Sequence, residues 1–186
     1  MGEPRRSNRG PSAAAGNRAA LLAAARTVLA ERGFDAPLSA IARAAGVGQG
    51  SLYRHFPTRE SLALAVFEDN IAAIETLAAT PESTLEEVLA AVISQLAESI
   101  ALIEIIDPMA DDMRLGSLHG RLSAVFTAKL DTARATGAMR ADATVDDLLL
   151  ALSMYAALLS RTPAADRGSV GARAWDLLQR SLSGDA

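Results

Sequence analysis

The chain has 186 residues, half of them apolar and few aromatic, no cysteine, and a formal net charge of -4. That length buries a sizeable core, and the missing cysteine excludes disulfides, thiolate nucleophiles and Cys-based zinc sites. No apolar stretch reaches the ~20 residues of a membrane span and no apolar signal core follows the first arginines, so the sequence reads as a soluble, cytoplasmic protein with no membrane partner.

Chain order starts with residues 1–16, whose Gly, Ser, Pro, Ala and Arg lack periodicity and predict a disordered basic arm. Asn17 is expected to cap a helix over 18–32, in which Leu21, Leu22, Ala25, Val28 and Leu29 recur at helical spacing before Gly33 closes it. Pro37 suits the start of a short second helix with Leu38, Ile41, Ala42 and Ala45 as its inner stripe, stopping at Gly46. A third short helix spans 49–56, with Leu52 and Phe56 facing inward, and Pro57 ends it. Near Thr58 a long helix opens, with apolar Leu62, Leu64, Val66, Phe67, Ile71 and Ile74.

Thr84-Leu85-Glu86-Glu87 has capping-box spacing and predicts a helix to about 106. Residues 107–116 read as a broken acidic connection, followed by helices over 117–136, 144–161 and 172–182, with Gly137 and Pro163 as stops. No run of alternating β-branched residues appears, so the fold class is all-α: an N-terminal three-helix helix-turn-helix domain joined to a C-terminal helical bundle domain.

The net charge argues against nucleic acid, but its distribution reverses that argument. Residues 1–60 carry nine arginines against Glu3, Glu31, Asp35 and Glu60, a net of +5, which leaves -9 for the remainder. Such a split suits a nucleic-acid-binding head on an acidic, self-associating body. In the two short helices, Leu38, Ile41, Ala45, Val47, Leu52 and Phe56 supply the core, leaving Gln49, Gly50, Ser51, Tyr53 and Arg54 on the surface of the third. Its N-terminal end suits a major groove, where Gln pairs with adenine edges, Arg with guanine and Ser with either, and Gly50 permits close approach.

The run Ile41-Ala42-Arg43-Ala44-Ala45-Gly46-Val47-Gly48-Gln49-Gly50-Ser51-Leu52-Tyr53-Arg54-His55-Phe56-Pro57-Thr58-Arg59-Glu60-Ser61-Leu62 resembles the signature of the TetR family of bacterial repressors. The resemblance spans about residues 17–70; beyond it only the helix pattern and Gly137-Ala138-Met139-Arg140-Ala141-Asp142 are similar. It implies a DNA-binding domain over 17–60 and a ligand-binding and dimerisation domain over 61–186, in a homodimer joined through the last two long helices. It further implies a repressor that binds a double-stranded, pseudopalindromic operator and is released by a small-molecule inducer. By motif position, Gln49, Gly50, Ser51 and Tyr53 would touch bases or adjacent phosphates, His55 and Arg59 would hold phosphates, and Ser39 and Arg43 would flank the groove. Arg54 is the open case within this group. Two positions depart from the family pattern: Pro37 and Gly48 stand where a hydroxyl residue is common, each losing a side-chain cap.

Inducer-lining candidates are Phe67, Ile71, Ile93, Leu96, Ile100, Met109, Met113, Phe126, Met154 and Tyr155, each of which could instead pack in the bundle core. Ala151, Ala156, Ala157, Ser160, Ala172 and Ala174 would let two protomers approach closely. Gly46-Val47-Gly48-Gln49-Gly50 is not read as a phosphate loop, since it follows a helix and no Lys follows it. His119 with Glu104, Asp107, Asp111 and Asp112 shows no metal-ligand spacing, and no Ser/His/Asp set or paired carboxylate appears, so no metal, cofactor or enzymatic activity is expected.

Overall fold

The computed structural model describes residues 11–33, 35–103, 105 and 113–184. Among the described residues there are nine helices and no strand: α1 (Pro11–Arg32), α2 (Leu38–Ala44), α3 (Gln49–His55), α4 (Arg59–Ala78), α5 (Leu85–Glu98), α6 (Ile100–Ile103), α7 (Met113–Ala135), α8 (Val145–Ser160) and α9 (Arg167–Leu182). No helix of the described residues is long and apolar enough to cross a membrane.

Three helices begin earlier than their sequence signals suggest. The first starts at Pro11 rather than after Asn17, because Pro presets φ for a first helical turn and Ala13, Ala14 and Ala15 are strong helix formers. Asn17 is therefore inside a helix and caps nothing, and the part of the expected disordered arm from Pro11 to Gly16 is helical. The seventh starts at Met113 rather than near Ser117, and the ninth at Arg167 rather than at Ala172. Residues 1–10, and Glu104, Asp107, Met109, Asp111 and Asp112, lie outside the described residues.

The long helix expected after Thr84 is shorter than its pattern. Thr84 and Glu87 form the capping box, but the helix ends at Ser99, whose buried hydroxyl accepts a hydrogen bond from the Asn70 side-chain amide at 3.2 Å. A tertiary partner thus breaks a helix that local propensity would continue. The same reciprocal cap opens α4, where Thr58 and Ser61 exchange side-chain-to-backbone bonds, and α8, where Thr144 and Asp147 do so.

The core has two main parts. Leu21, Leu22, Ala25, Val28 and Leu29 of α1 pack with Ile41, Leu52 and Phe56 of the two short helices, with Leu62 and Val66 of α4 and with Leu102 of α6. The second part gathers Ile74 of α4, Val88 and Val92 of α5, Phe126 and Leu130 of α7, and Leu148 and Leu152 of α8. Among the described residues, only α4 gives residues from its first half to one part and from its second half to the other. A smaller cluster joins Ile100, Tyr155 and Leu159, with Trp175 edge-on to Tyr155 at 6.4 Å between centroids.

Two glycines of the α2–α3 turn should respond oppositely to substitution. Gly46 holds φ at +65°, so Gly46→Ala is expected to lower the free energy of unfolding by about 1–2 kcal/mol through backbone strain alone, since no atom lies within 4 Å of an added Cβ. Gly48 is the N-cap of α3 with extended backbone, and Gly48→Ser should raise stability by roughly a few tenths of a kcal/mol by supplying a side-chain cap. Urea titrations of both variants read the two signs.

Candidate nucleic-acid interface

The turn between α2 and α3 is a hydrogen-bonded stop. Gly46 N–H donates to the Arg43 carbonyl at 3.1 Å and Val47 N–H reaches back to the Ala42 carbonyl at 2.9 Å, the paired bonds of a Schellman end with glycine in the left-handed position. Val47 packs on the same cluster as Ala42, adding the apolar contact that accompanies this stop. The turn therefore fixes how α3 leaves α2.

Leu52 and Phe56 anchor α3, both fully buried, with the Arg18 guanidinium 5.6 Å from the Phe56 ring centroid. Their burial leaves Gln49, Gly50, Tyr53 and Arg54 exposed on the outer face, Tyr53 at 51%, with Ser51 and His55 half-buried beside them. An added Cβ at Gly50 would meet nothing within 4 Å, so the backbone there is open to an approaching surface. Arg54 donates from Nε to the Gly50 carbonyl at 3.1 Å, which lays its side chain along the helix. Arg43 on α2 is exposed, and Ser39 and Arg59 are half-buried. From Ala36 to Arg59 the chain has no carboxylate, so Arg43, Arg54 and Arg59 share one stretch of single sign. Glu60, just beyond it, has its carboxyl held below the usual range by its own backbone N–H and by the Thr58 hydroxyl. Neither Pro37 nor Gly48 supplies a side-chain cap to the helix it precedes.

Behind this face a cavity of about 330 Å³ lies among α4, α5, α6 and α7. Phe67, Ile71 and Leu96 of the expected lining are on its wall, joined by Ile74, Val92, Ile103, Leu115, Leu118 and Leu122 and by polar Asn70, Gln95 and His119. The other expected lining residues among those described lie elsewhere. Ile93, Ile100 and Tyr155 pack in the cluster against α9, Phe126 is solid core, and Met113 (89% exposed) and Met154 (54%) face outward. On α7, Leu115, Leu118, His119 and Leu122 follow one helical face; the late start hid only Leu115, and the other three lay within the expected helix without being read as lining. Among the described residues no group of three or more His, Asp or Glu converges as metal ligands.

A polar network links the cavity wall to the head. Arg26 of α1 donates from Nε and Nη2 to Asn70 Oδ1 at 3.2 and 3.0 Å, and from Nη2 to Asp69 at 2.6 Å. Asn70 passes its own N–H to Ser99. Arg121 of α7 grips Glu75 of α4 with two bonds of 2.8 and 2.6 Å, which holds that carboxyl below its usual range.

Residues 21–66 match the model of the family described as bacterial regulatory proteins, tetR family. The structure of a TetR transcriptional regulator from Streptomyces coelicolor is 32% identical, with a TM-score of 0.68 over 91% of this chain and 99% of that one. The chain belongs to the TetR family of transcriptional regulators. A TetR transcription regulatory protein from Mycobacterium vanbaalenii is similar at 27% identity and a TM-score of 0.62, over 92% of this chain and 98% of that one. Reduced NemR from E. coli shares the fold at 18% identity and a TM-score of 0.62, over 91% of this chain and 99% of that one. No curated protein matches the chain. The regulator is thus a DNA-binding protein of transcription, and its helix-turn-helix is α2, the Gly46 turn and α3.

Scaffold and surface of α3 separate in a stability measurement. Leu52→Ala removes a fully buried anchor and should cost about 2–4 kcal/mol, while Tyr53→Ala on the exposed face should change stability by less than about 0.5 kcal/mol in the same urea titration.

Proposed function

We propose that this regulator is a homodimeric repressor that holds a pseudopalindromic operator and leaves it when a small molecule fills the cavity behind the head. The observation that carries the reading is the shared helix: α4 lines the cavity with Phe67, Asn70 and Ile71 and meets the head through Arg26. A ligand that favours the released state by ~3 kcal/mol lowers operator occupancy on the order of a hundredfold.

In this reading residues 17–60 form the DNA-binding unit and 61–186 the ligand-binding and dimerisation unit. Gln49, Gly50, Ser51 and Tyr53 meet bases or adjacent phosphates, His55 and Arg59 hold phosphates, and Ser39 and Arg43 flank the groove. Arg54 joins them once its bond along the helix is exchanged for a DNA acceptor. Base contacts set sequence and phosphate contacts set position. Footprinting the promoter beside the regulator's own gene should reveal a protected symmetric site, with half-sites ~34–36 Å apart. On that site Gln49→Ala with Tyr53→Ala should cost about 2–4 kcal/mol of affinity, while Arg43→Ala should weaken all sequences alike and reduce the salt slope by about 1. Unchanged affinity in the double variant rejects the assignment.

The dimer reading rests on the outer faces of α8 and α9. Leu150 (59% exposed), Met154 and Leu158 lie four residues apart along α8, and Leu177 of α9 is likewise exposed, an apolar stripe without cover in one protomer. Ala157 and Ala172 are exposed, Ala156, Ser160 and Ala174 half-buried, and Ala151 belongs to the core. Met154→Glu with Leu158→Glu is expected to give a folded monomer in sedimentation and to abolish tight binding to the two-half-site operator. A variant that stays dimeric places the interface elsewhere.

A further inference from the structure

Among the described residues of the cavity wall, Gln95 has a side-chain acceptor that no donor answers. Among the described residues the wall carries no Lys, Arg, Asp or Glu, and its polar side chains are Asn70, Gln95 and His119. Asn70 is committed, accepting from Arg26 and donating to Ser99. His119 is exposed, so solvent reaches it. Gln95 differs from both: its Oε1 is buried and no donor of the described residues bonds to it. A buried acceptor without a partner carries a desolvation penalty that the folded chain does not offset. Oε1 itself has almost no accessible surface, so it meets a donor in the cavity only when the flexible Gln95 side chain turns toward the space it already lines; a molecule that enters and offers a donor there removes the penalty as it binds.

Size and charge narrow the molecule further. A dry apolar cavity of ~150 Å³ holds a benzene ring. The volume of about 330 Å³ therefore suits two such rings, or a chain on the order of a dozen non-hydrogen atoms. The one described wall residue able to carry a charge, His119, is exposed, so a carboxylate or ammonium carried in beside Gln95 would lose its hydration among apolar side chains, a cost that one hydrogen bond does not repay. Resting on the reading of this cavity as the inducer site, we infer that its ligand is an uncharged, mainly apolar small molecule that donates a hydrogen bond to Gln95 Oε1.

Calorimetric titration of the full-length protein with n-decanol, its methyl ether and decanoate tests the inference, since the three share a flexible chain and differ in donor and charge. The alcohol should bind about tenfold more tightly than the ether and than decanoate. Gln95→Leu should erase the preference of alcohol over ether while leaving ether binding equal or improved. That variant removes an unpaired polar group, so its thermal midpoint should equal or exceed that of the parent, and Gln95→Met, closer in shape, should repeat the result. An ether that matches the alcohol in the parent, decanoate as the tightest binder, or an alcohol preference that survives in Gln95→Leu overturns the donor assignment. If all three bind equally, the cavity remains a ligand site and only that assignment falls. If none binds, the ligand-site reading falls with it.

Discussion

The buried amide of Asn70 is the interaction on which the rest of this structure depends. Only 8% exposed, it needs partners on every side, and it finds them in Arg26 of the head and in Ser99 at the break between α5 and α6. Leaving such a group unsatisfied costs about 1–3 kcal/mol, so the three elements are held in one register. The register has two consequences: α5 stops where Ser99 turns to meet Asn70, and α1 cannot tilt on α4 without loosening a wall residue of the cavity.

Around that link the packing divides the labour of α4. Its first half, through Leu62 and Val66, belongs to the core that α2 and α3 share with α1, whereas Ile74 belongs to the bundle core. Packed cores resist continuous deformation. In the proposed function, a displacement at Phe67 or Ile71 would be passed along α4 to its capped N-terminus. The paired bonds from Arg121 to Glu75 tie the opposite wall, α7, to the same helix, so both sides of the cavity bear on it.

The head was legible in the sequence because its signals are local. Helical spacing of Leu52 and Phe56, the left-handed glycine at 46 and the hydroxyl at Thr58 each act within a few residues, and the family match over 21–66 falls on the same stretch. The early starts of α1, α7 and α9 were hidden because no capping-box spacing marks them: Asp166 precedes α9 but makes no side-chain cap bond, and alanine propensity carries α1 back to Pro11. The break at Ser99 was illegible for a different reason, since its cause is a partner 29 residues away. Phe67, Ile71 and Leu96 share helical spacing with Phe126 and Ile100, yet the first three line a cavity and the others fill the core. Periodicity marks an inner face and does not say what that face meets. The polar members of the wall carried a better signal: Asn70 and Gln95 are amides on otherwise apolar helical faces.

The central claim is that filling the cavity moves the head through α4, and a substitution can stand in for a ligand. Ile71→Trp adds bulk inside the cavity without touching any residue of the DNA-facing surface. Its operator affinity is the most direct measurement, taken alongside the helical circular dichroism signal to establish folding. The account predicts a loss of about tenfold or more in a protein that remains folded. A folded Ile71→Trp protein with the operator affinity of the parent would contradict it.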